Sequence, residues 1–94
     1  MIQIATLETD KAERLMKALC NHFARKITAR YEGNKGYIEF GDGKCEITAT
    51  SNTLIFQVEA DKAEGLDHVK RAVDKHLLHF TPEEDIQINW VDPS

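Results

Sequence analysis

The sequence has few of the residues that mark secreted or membrane proteins. Its 94 residues include two cysteines, Cys20 and Cys45, which is too few for the disulfide framework of a small secreted protein, so both are expected to be thiols. No apolar run approaches the ~18 residues that span a bilayer. The N-terminal stretch also lacks the basic start and apolar core of a signal peptide. We therefore expect a cytoplasmic protein that makes no membrane contact.

A strongly basic region is also missing. The formal net charge is −4, with 12 Lys and Arg against 16 Asp and Glu, so nothing indicates a nucleic-acid partner. The charge is uneven, since residues 10–44 carry a small positive excess and residues 59–94 a negative one. With 41% apolar and 30% charged residues, the composition is that of one soluble globular domain, which we assign to 1–94.

The longest periodic segment, 10–25, predicts the first helix. Its apolar residues recur at three- and four-residue steps, which places them on one buried stripe. The stripe comprises Ala12, Leu15, Met16, Leu19, Cys20 and Phe23. Asp10 and Glu13 have the spacing of a capping box, which predicts that the helix starts there.

Alternating apolar and polar residues predict strands on both sides of this helix. One strand precedes it at 2–7, and four follow it. These four are 27–31, 37–40, 44–50 and 54–60. The turns between them are too short for a parallel crossover, so the four strands are predicted to be antiparallel.

A second amphipathic helix is predicted at 61–80, followed by a last strand at 86–91 that contains Trp90. Each helix needs an apolar wall, and an antiparallel sheet with one polar face supplies it. The predicted fold class is therefore α+β, a curved antiparallel sheet with both helices packed on one face. The predicted order is β-α-β-β-β-β-α-β, similar to the TATA-binding-protein type of fold.

Three stretches resemble a known family. They are Leu-Cys-Asn-His-Phe-Ala-Arg-Lys at 19–26, Gly-Tyr-Ile-Glu-Phe at 36–40 with Gly-Lys-Cys-Glu-Ile-Thr-Ala at 43–49, and His-Leu-Leu-His-Phe at 76–80 followed by Ile-Asn-Trp at 88–90. In this order they resemble a small bacterial family catalogued as a domain of unknown function. That family occurs alone or fused to siderophore-interacting ferric reductases. The resemblance implies a role near iron acquisition, with a siderophore-interacting reductase or a ferric siderophore as partner, and it brings no catalytic residues.

Seven side chains are candidates for binding a ligand. They are Cys20, His22, Arg25, Lys26, Cys45, His76 and Trp90. His76 and His79 are three residues apart and can share a helix face. However, the sequence has neither Cys-x-x-Cys nor His-Glu-x-x-His, so no metal site, no cofactor and no catalytic residue are assigned.

The preferred interpretation is a non-catalytic binding or interaction module associated with siderophore-iron use. One alternative is a small enzyme in which Cys20 or Cys45 is activated by His22 or His76, since a nucleophile needs an adjacent base. Another is a structural homodimer that has no small-molecule ligand. These alternatives differ in whether the cysteines and histidines converge on one cavity.

Overall fold

The computed structural model describes residues 1–80 and 88–92, and they form one sheet with two helices. The elements are β1 (Ile2–Glu8), α1 (Ala12–Phe23), β2 (Ala29–Glu32), β3 (Lys35–Glu39), β4 (Lys44–Ala49), β5 (Thr53–Glu59) and α2 (Ala63–Phe80). Their order confirms the predicted β-α-β-β-β-β-α sequence and the α+β class. Most of the predicted boundaries lie one or two residues from those of the structure.

The sheet has the order β1-β5-β4-β3-β2, and all neighbours are antiparallel, as predicted. Strands β2 to β5 follow one another through tight turns. Between β2 and β3 the turn is shorter than predicted, because Gly33 adopts a φ of 59°, a conformation that costs glycine little. The first strand returns to the far side of the sheet, where Ile2 lies opposite Glu59.

One face of the sheet is covered by both helices. Alternate residues of the two central strands are buried there, such as Ile47 in β4 and Phe56 in β5. The predicted stripe of α1 joins this core in full, and α2 contributes Leu66, Val69, Val73 and Leu77. On the opposite face, polar residues such as Glu46 and Gln57 lie opposite each other across β4 and β5. This division into an apolar and a polar face confirms that the helices share one side.

The start of α1 differs from the prediction. The helix begins at Ala12, and its N-cap residue is Lys11, which makes no side-chain cap hydrogen bond. Two other local contacts are found where the capping box of Asp10 and Glu13 was predicted. Thr9 Oγ1 accepts a hydrogen bond from the Lys11 N–H at 3.1 Å, and Glu13 pairs with Lys17 at 2.9 Å, one turn further on.

The last predicted strand, 86–91, lies partly outside the described residues. Within 88–92 the chain makes an isolated antiparallel bridge, in which Val91 pairs with Ile4 on the outer edge of β1. The segment therefore lies at the sheet edge, and its described part is a single bridge and not the full strand that the alternation predicted. No helix in the described part of the chain is long and apolar enough to cross a membrane.

Candidate functional site

The carboxyl-terminal ends of α1 and α2 lie side by side and bring two histidines together. The rings of His22 on α1 and His76 on α2 have centroids 4.7 Å apart. Arg25 and Lys26 follow directly after α1, and both are exposed. We call His22, His76, Arg25 and Lys26 the histidine corner. It unites four of the seven candidate residues, which come from two parts of the chain about fifty residues apart.

Local backbone geometry places the two cations at this corner. After Phe23 the chain makes a tight turn, in which the N–H groups of Lys26 and Ile27 donate to the Phe23 carbonyl at 3.0 and 2.9 Å. The end of a helix carries partial negative charge, and two helix ends meet here. Cationic side chains are therefore favourable at this position, and they give the surface a positive patch on an acidic protein.

His76 is held in a defined orientation. Its Nδ1 lies 2.7 Å from the carbonyl oxygen of Ala72, and a carbonyl only accepts, so Nδ1 carries a proton and donates it. In the neutral ring, Nε2 is then the nitrogen that can accept a hydrogen bond. The ring also packs on Phe23, with centroids 4.4 Å apart. Its position is thus fixed by the helix backbone and by the core.

The environment of His22 disfavours its charged form. Partial removal from water lowers the pKa of His22 below its ordinary value of 6.5, and the positive charges of His76, Arg25, His79 and Lys26 lower it further. His22 is therefore neutral at pH 7. A negative charge placed among these groups would offset the repulsion and raise the pKa again.

A row of rings extends from the histidine corner along the end of the sheet. Phe23 meets Phe40 edge-on with centroids 5.2 Å apart, and Phe40 meets His68 at 6.0 Å. His68 Nδ1 in turn lies 3.0 Å from the Asp42 carboxylate, and this hydrogen bond lowers the pKa of Asp42. Sequence reasoning missed Phe40, Asp42 and His68 as neighbours of the site, because no linear spacing connects the β3–β4 turn with α2.

Close backbone packing holds α2 against that turn. A Cβ added to Gly65 would collide with the carbonyl oxygen of Asp42, and one added to Gly43 would lie 2.7 Å from a methyl group of Val69. Real Cβ atoms do not approach so closely, so only glycine fits at either position. The two glycines therefore let α2 lie near enough for His68 to reach Asp42.

The two cysteines lie in the core and not at the corner. Cys20 is 1% exposed and Cys45 is fully buried, and both are free thiols. Burial raises the pKa of both thiols. The thiolate is the reactive form, so this environment disfavours the nucleophile that a cysteine–histidine enzyme would need.

Trp90 occupies a different surface of α2. Its indole Nε1–H donates to Asp74 Oδ1 at 3.1 Å, and its ring packs near Phe56 with centroids 6.4 Å apart. Asp74 and His76 are two residues apart on a helix and so point in nearly opposite directions. Trp90 therefore packs against the core on the side of α2 away from the histidine corner.

The surface also has a cavity, which lies away from the histidine corner. A cavity of about 560 Å³ lies at the amino end of α2, where its lining includes five carboxylates, among them Asp61 and Glu64, and two lysines, Lys44 and Lys62. Its acidic lining is unsuited to an anion.

Among the described residues, no three side chains of His, Cys, Asp or Glu converge as a metal site requires.

Comparisons with known proteins agree with this architecture. A solved structure, the NMR structure of PA4090 from Pseudomonas aeruginosa, shares 26% identity with this chain, has a TM-score of 0.82, and is matched over 96% of this chain and 94% of its own. The comparison with curated proteins gives no match. Residues 4–91 match a family described as an uncharacterized protein conserved in bacteria (DUF2218). The chain belongs to this bacterial family.

Proposed function

We propose that this protein is a non-catalytic binding module whose histidine corner holds an anionic ferric siderophore, with a siderophore-interacting reductase as its partner. The observation that carries the proposal is the contact between His22 and His76 beside two exposed cations. The proposed site keeps these four candidates. It leaves out Cys20, Cys45 and Trp90, which pack in or against the core.

The charge of the corner supports an anionic ligand. Arg25 supplies a planar guanidinium that binds carboxylates or catecholates through paired hydrogen bonds, and Lys26 adds a second full charge. His22 is the group whose protonation these charges oppose. A bound anion would relieve that opposition, so binding at neutral pH should be accompanied by proton uptake at His22.

The rings of the corner support a bulky ligand. Phe23 and His76 form a packed base, and Phe40 continues it toward the β3–β4 turn. Ferric siderophores are bulky and often anionic, and aromatic surface with a few polar groups suits such ligands. The resemblance to domains fused to siderophore-interacting ferric reductases selects this class among the bulky anions.

Titration calorimetry tests the proposal with two probes of similar size. A ferric tris-catecholate siderophore is negatively charged, whereas a ferric tris-hydroxamate complex is neutral. We expect the wild-type protein to bind the catecholate complex in preference, with proton uptake that shows as a dependence of the heat on the ionisation enthalpy of the buffer. The double variant Arg25→Gln/Lys26→Gln should bind more than about tenfold more weakly.

The matched control is Lys11→Gln/Arg14→Gln, which removes the same charge from exposed positions near the start of α1. It should leave the affinity within about twofold of the wild type. Equal losses in the two double variants would mean that net charge, and not the corner, governs binding. If neither ferric complex gave heat with the wild-type protein, the connection to siderophore iron would be wrong.

A further inference from the structure

The two edges of the sheet differ in whether their outer main-chain groups are paired. At the β1 edge, Ile4 N–H donates to the Val91 carbonyl at 2.8 Å and Val91 N–H donates back at 2.9 Å. At the other edge, β2 pairs with β3 on its inner side, and the described residues place no strand on its outer side. An unpaired edge presents main-chain donors and acceptors that another strand can use.

Hydrogen bonding shows which residues of β2 present those groups. Glu39 N–H donates to the Thr28 carbonyl at 2.9 Å, so the main-chain groups of Thr28 point toward β3. Because these groups alternate in direction along a strand, Arg30 and Glu32 also direct theirs inward. Ala29 and Tyr31 therefore direct their N–H and C=O groups toward the open edge.

The side chains of β2 alternate between the two faces of the sheet. Tyr31 lies on the face covered by α1, with Lys17 Nζ 5.9 Å from its ring, and is 39% exposed. Arg30 and Glu32 lie on the polar face, where Arg30 stacks over the Tyr37 ring at 5.4 Å. Both are exposed. The edge thus carries one positive and one negative side chain on the same face, two residues apart.

We propose that β2 is a homodimer interface, in which β2 of a second copy pairs antiparallel with it about a twofold axis at Tyr31. In this register Tyr31 lies opposite Tyr31 of the second copy, and the two exchange main-chain hydrogen bonds. Arg30 then lies opposite Glu32 of the second copy, and Glu32 opposite its Arg30. These two pairs are of the non-hydrogen-bonded kind, in which facing side chains are closest.

The charges select this register over its neighbours. The N–H and C=O groups that point outward in one copy must face those that point outward in the other. Only registers that keep Ala29 and Tyr31 in hydrogen-bonded positions are therefore possible. A shift of the axis to Arg30 places the two arginines opposite each other, and a shift to Glu32 does the same with the two glutamates. Facing like charges destabilise a strand pair, so the axis at Tyr31 is the favoured one.

The interface is short, which sets the expected strength. β2 has four residues, Ala29–Glu32, so few main-chain hydrogen bonds cross between the copies. The association should therefore be weak, with monomer in dilute solution and dimer at high concentration. The interface uses residues outside the histidine corner and does not depend on the proposed ligand.

Charge reversal tests the register by sedimentation equilibrium over a concentration series. Arg30→Glu places two glutamates opposite each other in both symmetric contacts, and Glu32→Arg likewise places two arginines opposite each other. Each single variant should be monomeric where the wild type dimerises. The double variant Arg30→Glu/Glu32→Arg should dimerise again. An equal mixture of the two single variants should form a heterodimer, since every facing pair is then of opposite sign.

The mixture of the two single variants distinguishes a lost dimer register from a folding defect. The variant Arg30→Glu loses the contact of Arg30 with the Tyr37 ring of its own chain, and mixing does not restore that contact. The control Glu46→Arg reverses an exposed charge on β4, two strands from the edge, and should dimerise like the wild type. A wild-type protein that stays monomeric at its solubility limit would overturn the proposal, and so would single variants that fail to associate with each other.

Discussion

The two sides of helix α1 differ in their interactions, since one packs in the core and the other faces water. One side buries six apolar residues against the sheet, with Met16 fully enclosed and Leu19 only 1% exposed. The other carries exposed polar residues and leads, at its carboxyl end, to the histidine corner. Burying an apolar side chain contributes about 1.5–3 kcal/mol, whereas an exposed charge contributes well under about 1 kcal/mol. Stability and ligand chemistry are therefore separable within one short helix.

Truncating the buried side should give the largest change. Leu19→Ala removes methyl groups from a buried position in the core, so we expect a loss of about 2–5 kcal/mol in the free energy of unfolding. Urea denaturation measures it, and Leu78→Ala is the matched control because Leu78 is 53% exposed on α2. The control should change stability by less than about 0.5 kcal/mol. A loss below about 1 kcal/mol at Leu19 would contradict the buried role of α1.

A smaller effect is expected where the same side of α1 touches β3. An added Cβ at Gly36 would lie 3.0 Å from Cys20 Sγ and 3.1 Å from Met16 Cγ, so Gly36→Ala should overpack the core and cost about 1–3 kcal/mol. Replacing the sulfur by hydrogen makes room, so Cys20→Ala should cost less in the Gly36→Ala background than in the wild type. A double-mutant cycle measures this coupling. Strictly additive losses would mean that the helix and the strand are not in the described contact.

On the exposed side, the smallest effect is a dependence of stability on pH. The pKa of His22 in the folded protein lies below its ordinary value of 6.5, so the unfolded chain takes up a proton more readily. The stability that neutral His22 provides is therefore present above about pH 6.5 and is lost as the pH falls through the folded pKa. Urea melts of the wild type and of His22→Asn between about pH 7.5 and about pH 5.5 should show a shallower decline in the variant. An equal slope would mean that His22 is not the group responsible.

Much of the fold followed from periodicity in the sequence. The buried stripe of α1, from Ala12 to Phe23, was predicted residue by residue because helical spacing decides which side chains share a face. Turn chemistry was also sufficient to predict antiparallel strands. The pairing of β1 with β5 was not predicted. Pairing between strands distant in sequence depends on how the whole sheet assembles, and no local sequence pattern indicates it. The start of α1 was misplaced because the Glu13 carboxylate, which a capping box uses, pairs with Lys17 instead.

The candidate site was predicted in part. Residue type selected His22 and His76, and the structure places them in contact. The same criterion selected Cys20 and Cys45, which are ordinary members of the core. Sequence alone does not distinguish a cysteine that packs from one that reacts, because the difference is burial. Asp42 and His68 were missed for the converse reason, since their contact depends on how α2 packs against a turn.

The position of β1 has a consequence for how the chain folds. Strands β2 to β5 pair with their neighbours in sequence, whereas β1 must find β5 across most of the chain, as the pairing of Ile2 with Glu59 requires. Contacts between distant residues raise the contact order and slow folding, because the loop between them must close first. The hairpins of β2 to β5 and their packing on α1 should then form the folding nucleus. Strand β1 would then be the last of the five strands to join the sheet, although it comes before the other four in the chain.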